Sequence, residues 1–306
     1  MREEIEAALG RLKARCWVHG EEDELGTLNY ISVETRIRAA KEIRDGDSVS
    51  LSRPLIVDDE PAAFGHKPAR QMVMTAHDKA DEGAVPWSIE NWNFTYHGFV
   101  VSHIDSWCHC AWRGETYNGH LATELVSVDK GAIKGSIPSD AGIFVRGVLL
   151  DAAPENGWLE PGSAVTKRDL AQLEKNKLDR PIARGDVVLV RTGHTRAMRE
   201  AVGGFATSRG MPACHWDVCE WLSEKRVAAL GADSANDCQP ALDRTFQNPV
   251  HVLSLVGMGM PLLDNLDLEA LATACRKKNR YTFALAICPL ALQGNTGSPV
   301  NAMALF

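Results

Sequence analysis

Short runs of β-branched or apolar residues, each bounded by turn-forming residues, recur through the second half of the chain. They are Gly147-Val-Leu-Leu-Asp151, Asp186-Val-Val-Leu-Val190, Val227-Ala-Ala-Leu-Gly231, His251-Val-Leu-Ser-Leu-Val256 and Tyr281-Thr-Phe-Ala-Leu-Ala-Ile287. Unbroken apolar runs of this length predict strands buried on both faces. Between them, residues 167–176, 215–226 and 267–278 repeat apolar positions at helical spacing, and Thr166-Lys-Arg-Asp169 has the form of an N-terminal cap. Upstream, the charged amino terminus reads as an amphipathic helix and residues 33–44 as a second helix, while the alternation in Ser48-Val-Ser-Leu-Ser52 fits a strand. From about Asp58 to Glu90 the chain is rich in Pro, Gly and charge and has no clear period, which predicts a long excursion. The order of elements predicts a mixed α/β fold.

Composition narrows the class. With 306 residues, 45% of them hydrophobic and 24% charged, the chain can bury a substantial core as one large domain or two intimate ones. A formal charge of −7 and the lack of any Lys/Arg cluster argue against nucleic acid or an anionic membrane as partner. Residues 1–15 contain no apolar stretch suited to a signal peptide or a membrane span, so a cytoplasmic location is expected. Eight cysteines without a CxxC pair fit small buried thiols in a reducing compartment better than a disulfide framework.

The densest candidate chemistry lies in residues 97–109, where His103, Asp105 and His109 fall within seven positions. Imidazole nitrogen and carboxylate oxygen suit zinc, manganese or iron, and His103 and Asp105, two apart, share one face of an extended chain. His109, four residues past Asp105, can face such ligands across a helical turn and act as a proton carrier. Ligands from a separate segment are needed to complete a site; His251 and Asp264, in a Leu-Leu-Asp-Asn turn, are candidates. His215, between a Gly/Ser-rich loop and a helix, is a candidate substrate contact. Trp87, Trp92, Trp107 and Trp112 crowd around the motif and read either as core or as walls of a flat pocket for a cyclic or aromatic molecule. Cys108, Cys110 and Cys214 match neither a zinc ribbon nor a Cys/His nucleophile.

At these residues the chain resembles the cyclase family of metal-dependent hydrolases, the kynurenine formamidase- and isatin hydrolase-like proteins. That family's signature has the form His-x-Gly-Thr-His-x-Asp-x-Pro-x-His. Ser102-His103-Ile104-Asp105 and His109 match its second half, and the likeness continues through Leu25-Gly-Thr-Leu-Asn29, Ser50-Leu-Ser-Arg-Pro54, Gly185-Asp-Val-Val-Leu-Val-Arg-Thr-Gly193, Leu230-Gly-Ala-Asp233 and Gly297-Ser-Pro-Val-Asn301. The resemblance implies a swivelling β/β/α fold, a mixed sheet or small barrel with surrounding helices. It further implies one domain over residues 1–306 with a helical extension over about 1–45, and a homo-oligomer, dimer or tetramer. It assigns His103, Asp105, His251 and Asp264 to one divalent metal ion, zinc or manganese, and His109 to acid/base work. The expected activity is hydrolysis of a C–N or C–O bond in an amide, lactam or lactone, with a small molecule as partner. A metal-dependent cyclase or dehydratase, or a non-catalytic metal- or ligand-binding protein, is the alternative. Two departures stand out: Phe99 occupies the place of the signature's first histidine, with His97 nearby as a ligand or an orienting donor, and Trp107 replaces the proline. A second metal is not expected, and Trp107, Trp87, Trp92 and Phe99 would shape the substrate pocket.

Overall fold

The computed structural model describes residues 1–55, 69–72, 88–138, 142–200 and 210–306. Nine strands form one curled sheet: β1 (Ser48–Ser50), β2 (His103–Asp105), β3 (Ile143–Asp151), β4 (Val187–Arg191), β5 (Ala229–Ala232), β6 (Leu262–Asp264), β7 (Thr282–Ile287), β8 (Gly297–Pro299) and β9 (Met303–Leu305). Their spatial order is β1-β9-β7-β3-β4-β5-β6-β2-β8. The four central strands, β3 to β6, run parallel, and the strands on both flanks pair antiparallel. Each parallel step needs a crossover, and the helices Lys167–Lys177, Val218–Lys225 and the helical segment 249–258 lie in those three connections.

Burial on both faces explains why the central strands read as continuous apolar runs. Val148 and Leu150 of β3, with Val188 and Val190 of β4, enter one core beneath the crossover helices and the amino-terminal helix Arg2–Cys16. Their neighbours Val145, Leu149, Val187 and Leu189 enter the opposite core, under the helix Glu269–Lys278. The period of two is intact, but both phases are apolar. Local chemistry sets the helix starts: Ser32 and Thr35 form a reciprocal cap for Val33–Ala40, as do Thr166 and Asp169 for Lys167–Lys177.

One expectation is corrected. The apolar run starting at His251, expected as a strand, is helical: Pro249–His251 opens the turn and Val252–Met258 continues it as a π-helix. All seven residues of Val252–Met258 are buried, so the run shows no polar face, and periodicity does not separate such a helix from a buried strand. Asn248 in the left-handed region followed by Pro249 at the first helical position starts it. In the predicted excursion, Ala69–Met72 pairs antiparallel with Glu90–Asn93; most of the rest lies outside the described residues. No helix among the described residues is long and apolar enough to cross a membrane.

The π-helix rests on the amino-terminal helix. A Cβ on Gly257 would lie 3.1 Å from Leu9 and 3.3 Å from Leu12, and Trp17 Nε1 donates to the Val256 carbonyl at 3.2 Å. Gly26 and Gly259 make a second close approach, since a Cβ on Gly26 would fall 2.1 Å from the Gly259 oxygen. Leu12 is fully buried in this contact. Its replacement by Ala is expected to cost about 2–5 kcal/mol in urea unfolding, as for other core leucines; a loss below about 0.5 kcal/mol would show the amino-terminal helix to be dispensable.

Candidate metal centre

Strand β2 places His103 and Asp105 on one face and lies between β6 and β8, opposite Asp264 and Leu262 on one side and Pro299 and Gly297 on the other. Register therefore brings Asp264 beside His103. Asp264 ends the parallel strand β6, and the loop 233–237 leaves the same end of β5, so the cluster forms at the carboxyl ends of the parallel strands. His251 enters from the first turn of the crossover helix.

Asp105, only 1% exposed, is the hub. His97 Nδ1 lies 2.8 Å and His103 Nε2 3.4 Å from its Oδ1; His251 Nε2 lies 3.6 Å and His109 Nε2 4.0 Å from its Oδ2. His251 Nε2 is also 3.6 Å from Asp264 Oδ2. Ligand atoms of His103, Asp105 and Asp264 fall within 4.8 Å of one another, as do those of His97, Asp105 and His109. The residue at the position of the missing signature histidine, Phe99, lines the cleft, while His97 reaches the hub from two residues earlier. Its other nitrogen meets Thr296 Oγ1 at 3.0 Å, and its ring stacks on His109 at 3.9 Å between centroids.

The donor set fits a divalent cation. Although 2.8 Å apart, His97 Nδ1 and Asp105 Oδ1 do not meet as a hydrogen bond, and both are buried with no hydrogen-bond partner among the described residues. Buried polar atoms left without a hydrogen bond, beside other candidate donors, are what a metal would satisfy. Burial pushes the Asp105 carboxyl up, but the imidazoles of His103, His109, His251 and His97 outweigh it and hold the group well below the usual carboxylate range. For His251 burial opposes the charge, yet the carboxylates of Asp105, Asp237 and Asp264 raise it well above an ordinary histidine. His109 goes the other way: burial, against the pull of Asp105 and with the other histidines, lowers it to about 4, leaving a neutral ring at pH 7. Burial raises the Cys108 and Cys110 thiols to about 11, which keeps them protonated and weak as ligands.

A cleft of about 200 Å³ opens over the cluster, lined by Gly98, Phe99, His103, Asp105, His109, Ala235, Asp237, Gln239, Asn248, His251 and Asp264. Other expected substrate contacts lie elsewhere. Trp107 packs against Tyr117 and donates its indole N–H to the Glu24 carbonyl, so the residue in the proline's place serves a separate buried cluster. Trp92 is exposed on the strand Glu90–Asn93, and His215 pairs with Asp217 at 2.9 Å outside the cleft lining. Trp87 lies outside the described residues. Sequence reasoning missed Asn236, Asp237, Thr296, the role of Gly297 and Tyr96, whose hydroxyl donates to the Gly297 carbonyl at 3.1 Å and whose ring lies against His97. A Cβ at Gly297 would lie 2.4 Å from the Ile104 oxygen and 2.9 Å from the His97 ring, so only glycine lets β8 approach this closely.

A buried polar frame holds the loop leading into β2. Arg53 donates from Nη1 to the Phe99 carbonyl at 2.9 Å and from Nε to Thr195 Oγ1 at 3.2 Å, and a further bond joins it to the Asp233 carbonyl. Asn265 Nδ2 donates to the Gly98 and Val101 carbonyls at 2.7 and 3.2 Å. The Asp233 carboxylate accepts from the Thr192 and Gly193 amides, both at 2.8 Å.

The family model described as "Putative cyclase" matches residues 33–236, and the chain belongs to this cyclase family. A crystal structure described as a novel cyclase is 28% identical, with a TM-score of 0.84 over 94% of this chain and 97% of that one. The fold is also that of isatin hydrolase A from Labrenzia aggregata, bound to benzyl benzoate (20% identity, TM-score 0.61, 87% of this chain and 94% of that one). Isatin hydrolase A from Ralstonia solanacearum is similar at 18% identity and a TM-score of 0.58, over 90% and 97% of the two chains. No curated protein sequence matches the chain.

The frame carries a pH signature. His194, 1% exposed, is lowered to about 3 by burial and by Arg53. Above about pH 6.5 it is neutral both folded and unfolded; as pH falls from there towards 3, only the unfolded chain takes up the proton, so stability declines. This group should contribute a slope of up to about 1.4 kcal/mol per pH unit over that window. Urea unfolding of His194→Gln between pH 7.5 and 5 should show a slope shallower by up to one proton, and an unchanged slope would mean that His194 takes up its proton equally in the folded and unfolded chain.

Proposed function

We propose that the protein is a metal-dependent hydrolase that opens a C–N or C–O bond in a small amide, lactam or lactone, probed most directly with a cyclic aromatic substrate such as isatin. The observation that carries this reading is the division within one cluster. Four imidazoles surround the Asp105 carboxylate, and one of them, His109, is neutral and lines the cleft with 31% of its side chain exposed. His103, Asp105, His251, Asp264 and His97 would hold the ion, zinc or manganese fitting this mix of nitrogen and oxygen donors. A divalent cation in this place polarises a carbonyl oxygen and lowers the pKa of water towards about 7.

The chain's own residues account for the protons. His109 Nε2, with its lone pair available at neutral pH, accepts the proton of the water molecule that attacks the carbonyl carbon. It then returns that proton to the departing nitrogen or oxygen as the C–N or C–O bond breaks. The stacked ring of His97, tied to Thr296, holds the His109 plane while the proton is carried. Phe99 and Ala235 give the cleft apolar walls, and Gln239 and Asn248 add carboxamides at its lining. A cleft of about 200 Å³ suits a small substrate.

The two roles separate in experiment. His109→Gln should keep its metal, measured by elemental analysis, while kcat for isatin or for a panel of cyclic amides and lactones falls by about 10²–10⁴; unchanged turnover would remove His109 from the reaction. Asp105→Asn keeps the volume but deletes the charge at the hub, so metal content should drop sharply. Full occupancy in that variant would exclude Asp105 as a ligand.

A further inference from the structure

We infer that the consecutive residues Asn236 and Asp237 are a positioning pair that aims the two donors arriving from outside β2, Asp264 and His251, at Asp105. The inference rests on the reading that this cluster holds a metal, and it concerns how the donors are held rather than which bond is cut.

Asp237 is 3% exposed. Its Oδ2 meets His251 Nδ1 at 2.6 Å and accepts the His251 amide at 3.0 Å, while Oδ1 accepts the Val250 amide at 2.8 Å. One carboxylate thus caps the turn that begins at Pro249 and grips the ring of a residue in that turn. An imidazole that donates from Nδ1 presents Nε2 for coordination, and its plane is set by the acceptor. His251 Nε2 accordingly faces the gap 3.6 Å from both Asp105 Oδ2 and Asp264 Oδ2.

Asn236 does the same for the carboxylate. Its Nδ2 donates to Asp264 Oδ1 at 2.6 Å and to the Leu263 carbonyl at 3.0 Å, so Oδ1 is engaged and Oδ2 is the oxygen turned to His251. Successive side chains of an extended segment point to opposite faces. Here Asn236 takes φ = 55°, and this left-handed residue, a conformation asparagine tolerates, lets neighbours in sequence serve neighbouring donors in space. His103 is held differently: its Nδ1 contacts the Val101 carbonyl at 2.8 Å, a backbone group that mutation leaves in place. Asn236 and Asp237, like Thr296 at His97, are therefore parts of the orienting frame that substitution can remove.

Two variants of the full chain test the pair. Asp237→Asn keeps size but removes the charge and one of the two acceptor oxygens that serve the Val250 and His251 N–H groups. Asn236→Gly keeps the left-handed backbone at no steric cost and deletes the donor to Asp264. Each should weaken Zn²⁺ binding about 10–100-fold, measured by competition with a chromophoric chelator. In ¹H–¹⁵N spectra of the metal-free protein, the exchange-protected Nδ1–H of His251 should be present in the parent and in Asn236→Gly, and lost in Asp237→Asn. Metal-free melting temperature gives the control for folding: a capping role alone would lower it and leave Zn²⁺ affinity untouched. Zn²⁺ affinity within about twofold of the parent in both variants, or an Nδ1–H signal that survives in Asp237→Asn, would overturn the inference. If the parent itself binds no Zn²⁺, the metal reading fails, while the Nδ1–H signal still decides whether Asp237 holds the ring.

Discussion

A carboxylate with 1% of its surface exposed sits among four imidazoles, and the surrounding architecture can be understood as the means of keeping it there. An isolated charge in that position would cost several kcal/mol in desolvation and would sooner take up a proton than stay ionised. The histidines reverse the balance and hold Asp105 ionised. They also come from three separate places: β2 and its flanks, the loop before β2 and the helix after Asn248. The folded chain is required to bring them together, and the cluster then favours the fold that assembled it.

The sheet supplies the meeting point. Four parallel strands deliver the ends of β5 and β6 to one side, and the antiparallel β2 turns His103 and Asp105 towards them. β8 closes the other flank through a glycine that leaves no room for a side chain between His97 and Asp105. Arg53 and Asn265 fix the loop before β2 by satisfying its carbonyls, since buried backbone oxygens must find donors. Within this setting two histidines with the same intrinsic chemistry diverge. His251, facing three carboxylates, has its affinity for a positive partner, proton or metal, raised, and His109, at the cleft and stacked on another imidazole, is lowered to neutrality at pH 7. Surroundings, not intrinsic chemistry, set the difference between them.

Much of this was legible in the chain. The buried strands β3, β4, β5 and β7 were visible because apolar runs of that length bounded by turns have few other homes, and Thr166 with Asp169 marked a helix start because the capping exchange is local. His103, Asp105 and His109 were visible because they are close in sequence. The helix over Val252–Met258 was not, because a segment buried on every side carries no periodic signal. Trp107 and Trp92 looked like pocket walls by proximity in sequence, yet the turn at Trp107–His109 sends the indole into a different cluster from the imidazole two residues on.

By itself, the sequence determined the α/β class and the positions of most strands and helices, and it pointed to one short segment as a source of candidate metal donors. These depend on periodicity, turn chemistry and residue type, all of which act over a few residues. The tertiary structure alone decided that His97 reaches Asp105 across Phe99's place, that Asp264 lies opposite His103, and that Asn236 and Asp237 hold the donors arriving from β6 and the helix. Those relations depend on strand register, a left-handed residue and a glycine contact, and all three are set by packing between segments far apart in the chain.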